Sequence, residues 1–358
     1  MEERRKMKLE KLRVKIDKLD SRILNLLNQR AKIILEVSRF KQQQKKSIYS
    51  PEREAVILRR LIRKNKGPLS SEAIEAIYRE IMSYSLSLKK PLKVAYLGPE
   101  ATFTHLAALK KFGSQVKYIS CLTISDIFLA VEKGELDYGV VPIENSTEGA
   151  VTHTLDMFID SDLKICSQIV MNISHHLLSR FPLKMIKKVY SNPQVFGQCR
   201  MWLEQNLPSA QRIEVGSTTQ AAQIVSHQKY SACIASLLAA QKYNLKVVAQ
   251  HIEDFAHNAT RFLVIGKTSA EPTGDDRTSI LFSIKDKVGA LHDMLVPFKK
   301  HKINLTMIES RPSKKKAWDY YFFVDLEGHH RDNNVKMALS ELEEKCNLLK
   351  ILGSYPKS

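Results

Sequence analysis

KVAYLG, Lys93–Gly98, is the first of eight short apolar runs that alternate with helical stretches through the middle of the chain. The others are YISCL, YGVVPIE, KKVYSN, IEVGS, ACIAS, LKVVAQHIE and TRFLVIG, the last ending at Gly266. Runs of this length and composition read as strands, and strands alternating with helices predict an α/β region of mainly parallel sheet. The region spans about 175 residues, enough for two lobes with a cleft between them. Open sheets of this kind bind small ligands at their strand ends.

Upstream, Leu9, Leu12, Ile16, Leu19, Ile23, Leu26, Leu27, Ile33, Ile34, Val37 and Phe40 recur at helical spacing from Lys8 to about Gln44, without Gly or Pro. They predict one long helix. At 1.5 Å per residue it reaches roughly 55 Å, longer than a small module is wide, so it is expected to pack against a partner chain. Further helices open at Ser50-Pro51 and near Ser70-Ser71, after the breaker Gly67-Pro68. The all-α module ends near Lys90. Downstream, TSAEPTGDD (Thr268–Asp276) has linker composition. The remainder reads strand, helix, strand, strand, helix, strand (TSILFSI, GALHDMLVPFKKH, NLTMIES, YYFFVDLE, VKMALSELEEKC, LLKILGS), the βαββαβ order of ferredoxin-like folds. The expected division is 1–90, 91–268 and 269–358.

Composition agrees with folded domains: of 358 residues, 44% are hydrophobic and 26% charged, which excludes long disorder. No apolar run approaches a membrane span and the basic start has no apolar segment behind it, so a cytosolic protein is expected. Cys121, Cys166, Cys199, Cys233 and Cys346 are scattered without a CxxC pair, which argues against disulfides or zinc and for reduced core thiols. The net charge is +18, and residues 1–90 hold 24 of the 56 Lys/Arg but 11 of the 38 Asp/Glu. The helical module thus carries most of the excess, suited to nucleic acid, an acidic surface or a small polyanion. Composition leaves the three open.

Within that module Arg30 and Lys41 lie 11 residues apart, nearly aligned on one helix face about 16 Å apart along the axis, where long side chains can converge on a small dianion. Arg13 lies about 25 Å from Arg30 and must come from a partner chain to join them. Three stretches here, LRVKIDKLDSRILNLLNQR, EVSRFK and SPEREAVIL, resemble the helical chorismate mutases over residues 9–89. The resemblance implies a domain-spanning dimer with a site made of Arg13 from the partner, Arg30, Lys41, Arg53, Glu54 and Ser85. Ser50 stands where that family usually has Asp, and Lys89 where it has Gln or Glu opposite the ether oxygen; both count as site candidates. A pericyclic rearrangement of chorismate needs no nucleophile, only a held conformer and donors to the developing negative charge.

In the α/β region four polar strings fall at strand ends: GPEATFTH (Gly98–His105), PIENSTEG (Pro142–Gly149), YSNPQVFGQC (Tyr190–Cys199) and NATRFLVIG (Asn258–Gly266). Their order and wording resemble prephenate dehydratase, whose fold has two lobes like a bacterial solute-binding protein. The resemblance implies Thr260 as the acid or proton-positioning group, with Arg261 as a carboxylate anchor or a structural ion-pair partner. It places Glu144, Asn145, Ser146, Ser191 and Gln198 along the cleft, and Thr102 and Phe103 in its first loop. An unaided threonine is too weak an acid, so neighbours are expected to share its work. His105, His153, His175 and His176 show no ligand spacing and read as core or surface histidines.

VGALHDML followed by NLTMIESRP resembles the ACT regulatory domain of such dehydratases, in which phenylalanine binds between paired domains. The candidate residues for that site are Gly289, Ala290, Leu291, Asn304, Leu305, Glu309 and Ser310, with His292 where Val is usual. Taken in order, the three resemblances are those of the bifunctional chorismate mutase/prephenate dehydratase family. They imply chorismate, prephenate and inhibitory phenylalanine as ligands, a homodimer or dimer of dimers, and no cofactor, metal, nucleic acid or membrane. Two other readings are open at this stage: a dehydratase whose helical module only dimerises, and a non-enzymatic amino-acid sensor.

Overall fold

The computed structural model describes residues 2–43, 49–88, 91–147, 149–255, 258–284, 288–312 and 320–357, Gln42 by its backbone alone. The helical module consists of α1 (Glu2–Gln43), α2 (Pro51–Lys64) and α3 (Ser71–Ser87). Ser50 precedes α2 with Pro51 at its first position, and Ser70 caps α3 by accepting from Ala73 N at 3.2 Å. α1 is 42 residues long, about 63 Å at 1.5 Å per residue. Its apolar stripe stays open: Leu12, Ile16, Leu19, Ile23 and Leu26 are 48–62% exposed.

The first lobe runs β1 (Lys93–Leu97), α4 (Phe103–Phe112), β2 (Lys117–Cys121), α5 (Ile124–Glu132), β3 (Tyr138–Asn145), β4 (Gly149–Ala150), α6 (Thr152–Asp160) and β5 (Lys164–Asn172). The second runs β6 (His176–Ser179), β7 (Lys188–Ser191), α7 (Pro193–Gln198), α8 (Arg200–Asn206), β8 (Gln211–Glu214), α9 (Thr218–Val225), β9 (Ser231–Ala235), α10 (Leu237–Lys242) and β10 (Lys246–Ala249). The chain then returns to the first lobe through β11 (Ala259–Gly266). The sheet orders are β2-β1-β3-β11-β5 and β10-β6-β9-β7-β8.

These sheets correct the expectation of mainly parallel pairing. β11 runs antiparallel to both β3 and β5, and β6 antiparallel to β9 and β10, because the chain crosses between lobes twice. β5 and β6 were not expected as strands. KICSQIVMN does not alternate because Ile165–Ile169 are buried on both faces of β5, and the polar Gln168 among them is satisfied by accepting from Arg277 of the C-terminal domain at 3.0 Å.

The C-terminal domain is the expected βαββαβ unit, with β12 (Asp276–Ser283), α11 (Ala290–Lys300), β13 (Leu305–Pro312), β14 (Tyr320–Glu327), α12 (Asn333–Glu343) and β15 (Leu348–Pro356). Its sheet order is β13-β14-β12-β15. The domain shares a core with the first lobe: Ile165, Leu263 and Ile265 pack in one buried cluster with Leu281, Phe323, Leu352 and Tyr355. At Gly353 a Cβ would fall 2.1 Å from Ile165 O, so only glycine admits this approach of β15 to β5. Lys164 Nζ donates to Ile351 O at 2.7 Å, and Lys350 Nζ to Ser161 O at 2.6 Å just past α6. The helical module is tied in as well. Arg59 on α2 pairs with Asp275 of the linker at 3.1 Å, and Tyr49 is buried against Phe112 and Tyr138 of the first lobe, with centroids 5.0 and 5.1 Å away.

Candidate functional site

The two lobes leave a cleft of about 320 Å³, lined from the first by Thr102, Asn145, Thr260 and Phe262 and from the second by Asn192, Gln198 and Ser217. Strand alternation decides which residues reach it. On β11 Thr260 and Phe262 face the cleft and Arg261 between them faces away. Register pairs Thr260 with Asn145 and Arg261 with Glu144, so Asn145 comes to the cleft and Glu144 to the opposite face, where its carboxylate lies 3.6 Å from Arg261 Nε.

Asn145 Nδ2 donates to Thr260 Oγ1 at 2.8 Å and to Asn258 Oδ1 at 3.1 Å. The orientation of this amide is fixed by Thr147, whose backbone N–H can only donate and reaches Asn145 Oδ1 at 2.9 Å. Thr260 Oγ1 therefore accepts from Asn145, and its own hydrogen is directed elsewhere. From the second lobe Gln198 Oε1 accepts from Asn258 Nδ2 at 3.1 Å and from His175 Nε2 at 2.8 Å. Since that oxygen only accepts, His175 carries its proton on Nε2. Burial holds the imidazole below its ordinary pKa, partly opposed by the Gln198 bond.

The lining residues described here include no Lys, Arg, Asp or Glu. The first turns of α4 and α9 open into the cleft instead, capped by Thr102 and Ser217. Helix N-termini carry partial positive charge and N–H donors, and so favour an anion without a cationic side chain. Three expected lining residues lie elsewhere. Ser146 Oγ accepts from Ala259 N at 2.9 Å, Ser191 is fully buried and donates to Ile234 O at 3.0 Å, and Glu144 faces the back of the sheet. Arg261 makes its ion pairs, with Glu144 and Asp325, on that back face. His175, Asn192, Ser217 and Asn258 were not expected. Asn192 and Asn258 lay inside two of the polar strings, whereas nothing in the sequence set His175 apart.

In the helical module Arg30 Nη1 donates to Ser85 Oγ and Lys41 Nζ to Ser50 Oγ, each at 2.5 Å. Four expected residues are thus joined in two hydrogen-bonded pairs, α1 to α3 and α1 to the start of α2. Burial lowers the pKa of Arg30, the Tyr78 phenol opposing it. Arg53 is exposed, and Arg13 is exposed and pairs with Glu10 at 2.7 Å. Glu54 turns toward Lys111 of the first lobe at 3.7 Å; burial raises its carboxyl pKa and Lys111 opposes the rise. Lys89 lies outside the described residues.

In the C-terminal domain Gly289 precedes α11 with φ +77, a left-handed conformation that glycine adopts without strain. Ala290 behind it is buried and Leu291 is 38% exposed. Asn304 O accepts from Glu327 N at 2.9 Å beside Leu305, the first residue of β13. Glu309 and Ser310 alternate on β13, Glu309 with the half-buried set and Ser310 with the exposed one.

Comparisons with known proteins follow the same division. Residues 12–90 match the model of chorismate mutase type II, 94–270 that of prephenate dehydratase and 278–344 that of the ACT domain. A bifunctional chorismate mutase/prephenate dehydratase of Aquifex aeolicus is 52% identical over 355 residues, covering 98% of both chains. Its counterpart in Pseudomonas aeruginosa is 46% identical over 357 residues, again covering 98% of both. Among solved structures, prephenate dehydratase of Arthrobacter aurescens in complex with L-Phe superimposes with a TM-score of 0.70 and 32% identity, covering 74% of this chain and 90% of that one.

Proposed function

The chain belongs to the bifunctional chorismate mutase/prephenate dehydratase family, and from that premise we propose that it rearranges chorismate to prephenate in the helical module. It then converts prephenate to phenylpyruvate between the two lobes, under inhibition by phenylalanine at the C-terminal domain. The boundaries at 90 and 268 separate these tasks, and the protein works in the cytosol as a homodimer or a dimer of dimers.

The observation that carries the dehydratase reading is the Asn145–Thr260 hydrogen bond at the wall of a cleft lined by neutral donors. Prephenate loses its ring carboxylate as carbon dioxide. The electron pair of that bond enters the ring and expels the ring hydroxyl, which leaves as water once it takes up a proton. Thr260 presents its hydroxyl hydrogen to the departing group. Being a weak acid, it positions the proton rather than supplying it outright, and the net proton comes from solvent. The N-termini of α4 and α9 hold the carboxylates.

In the helical module Arg30 and Lys41 bind chorismate, Lys41 and Lys89 donating toward the ether oxygen where negative charge develops. Arg13 arrives from a partner, because it stands about 25 Å along α1 from Arg30. The open apolar stripe of α1 supports the pairing of two chains: side chains about half exposed along four turns leave a large apolar area in water. Arg53, Ser50 and Ser85 complete the site, with Glu54 at its border. At the C-terminal domain Gly289, Ala290, Asn304 and the exposed edge of β13 receive phenylalanine.

The two activities are tested by separating them. Thr260→Ala abolishes phenylpyruvate formation from prephenate and leaves prephenate formation from chorismate intact, whereas Arg30→Ala does the reverse. Retained dehydratase turnover in Thr260→Ala contradicts the role given to that residue.

A further inference from the structure

The cleft-facing pair Asn145 and Thr260 has a charged counterpart on the back of the same two strands, since their chain neighbours Glu144 and Arg261 are also opposed in register. Arg261 reaches on from there into the C-terminal domain. Its Nη1 lies 2.6 Å from Asp325 Oδ2 on β14, with the two side chains 10% and 2% exposed. Its Nη2 approaches Met307 Sδ on β13 at 3.5 Å. Asp325 accepts from Ser279 Oγ on β12, and Ser279 shares a hydrogen bond of 2.7 Å with the Tyr355 hydroxyl on β15. One guanidinium from the catalytic strand is thus in contact with, or within two further bonds of, every strand of the sensor sheet.

β13, the strand of Glu309 and Ser310, is held to the dehydratase along the same face. Met307 meets Arg261, and two residues beyond Glu309 the Arg311 guanidinium grips Asp156 of α6, its Nε and Nη2 each 3.2 Å from Oδ1. β13 is fixed by the part-buried Arg311–Asp156 pair, and the register partner of its Met307 on β14 is Asp325, so a displacement of β13 bears on the buried Arg261–Asp325 pair. Parting a buried ion pair strands charge away from water, and packed interiors shift between discrete arrangements rather than deforming continuously.

We propose that Arg261 is a positioning residue that couples the sensor domain to Thr260 and does not anchor substrate. Phenylalanine at β13 moves Met307 and Asp325, and Arg261 passes that movement to the β11–β3 pair that sets the Thr260 hydroxyl. The inference rests on the reading of Thr260 as proton-positioning group and phenylalanine as sensor ligand. The effector acts by binding the two arrangements unequally, and the coupling is reciprocal between phenylalanine and prephenate.

The experiment uses the full chain. Asp325→Asn keeps the shape and the acceptor for Ser279 and removes the charge. Arg261→Met with Asp325→Leu removes both charges and so avoids a stranded one. Mutase turnover of the same sample reports that the chain is folded. For each variant, KM and kcat for prephenate are measured with and without phenylalanine, and phenylalanine binding by calorimetry. The expected result is phenylalanine still bound, KM within about twofold of wild type, and the ratio of uninhibited to fully inhibited rate reduced at least about fivefold. Arg261→Lys, which keeps the charge, retains part of the response. A KM raised by about tenfold or more with inhibition intact makes Arg261 a substrate anchor and overturns the proposal. Unchanged inhibition in both variants overturns it too. A wild-type enzyme that phenylalanine does not inhibit at all would instead refute the functional reading beneath it.

Discussion

Asn145 donates to Thr260 Oγ1 across 2.8 Å, and Thr147 N–H on Asn145 Oδ1 prevents the amide from turning over. The hydroxyl proposed to act on substrate is therefore oriented by an amide rather than by a base. Asn145→Asp replaces that donor with an acceptor, so Thr260 would donate to the new carboxylate instead of to the departing hydroxyl. Steady-state kinetics should show kcat for prephenate falling roughly 10²–10³-fold. Mutase turnover should be unchanged.

The helical site predicts complementation between two inactive chains. Arg13→Ala and Arg30→Ala each remove mutase activity, but a mixed dimer rebuilds one site from the intact Arg30 of one chain and the intact Arg13 of the other. Equal co-expression should restore about a quarter of wild-type mutase activity, one working site in four. No recovery would mean that each chain supplies its own site.

How far the sequence reached is shown by particular residues. Pro51 at a first helical position and the Ser70 cap announced their helices because the chemistry of a helix start is local, and YYFFVDLE became β14 over the same residues because an apolar strand with clear ends leaves little choice. KICSQIVMN did not announce β5, since Gln168 is polar in sequence and becomes apt only when Arg277 arrives from more than a hundred residues away. Arg261 is the instructive case in the site. With Thr260 in the cleft, alternation along a strand sends Arg261 to the other face, and that much is legible. Its partner Asp325 is not, because the contact exists only once two domains share a core. His175 escaped for the same reason: a lone histidine gains meaning only from Gln198, which the fold brings to it.

That histidine also predicts an acid limb. Burial holds the folded-state pKa of His175 below its ordinary value, and His105 and His176 shift in the same direction for the same reason. The unfolded chain, with an ordinary histidine pKa of about 6.5, binds more protons than the folded one as pH falls through that value. The stabilisation is complete above that pH and is lost progressively below it. Thermal unfolding followed from pH 8 to pH 5 should show the melting temperature falling through the lower half of this range. His175→Asn, which keeps a donor for Gln198, should flatten the fall without removing it. A melting temperature indifferent to pH over that range would contradict a neutral His175 in the folded state.

Product analysis decides whether one chain carries two successive active sites under one sensor. The purified protein is given chorismate in one reaction and prephenate in another, each with and without phenylalanine, and the products are identified by mass spectrometry. Phenylpyruvate is expected from both substrates, suppressed by phenylalanine. Phenylpyruvate from prephenate alone, with chorismate turning over no faster than its uncatalysed background, would contradict the mutase half and leave α1–α3 as a dimerisation module.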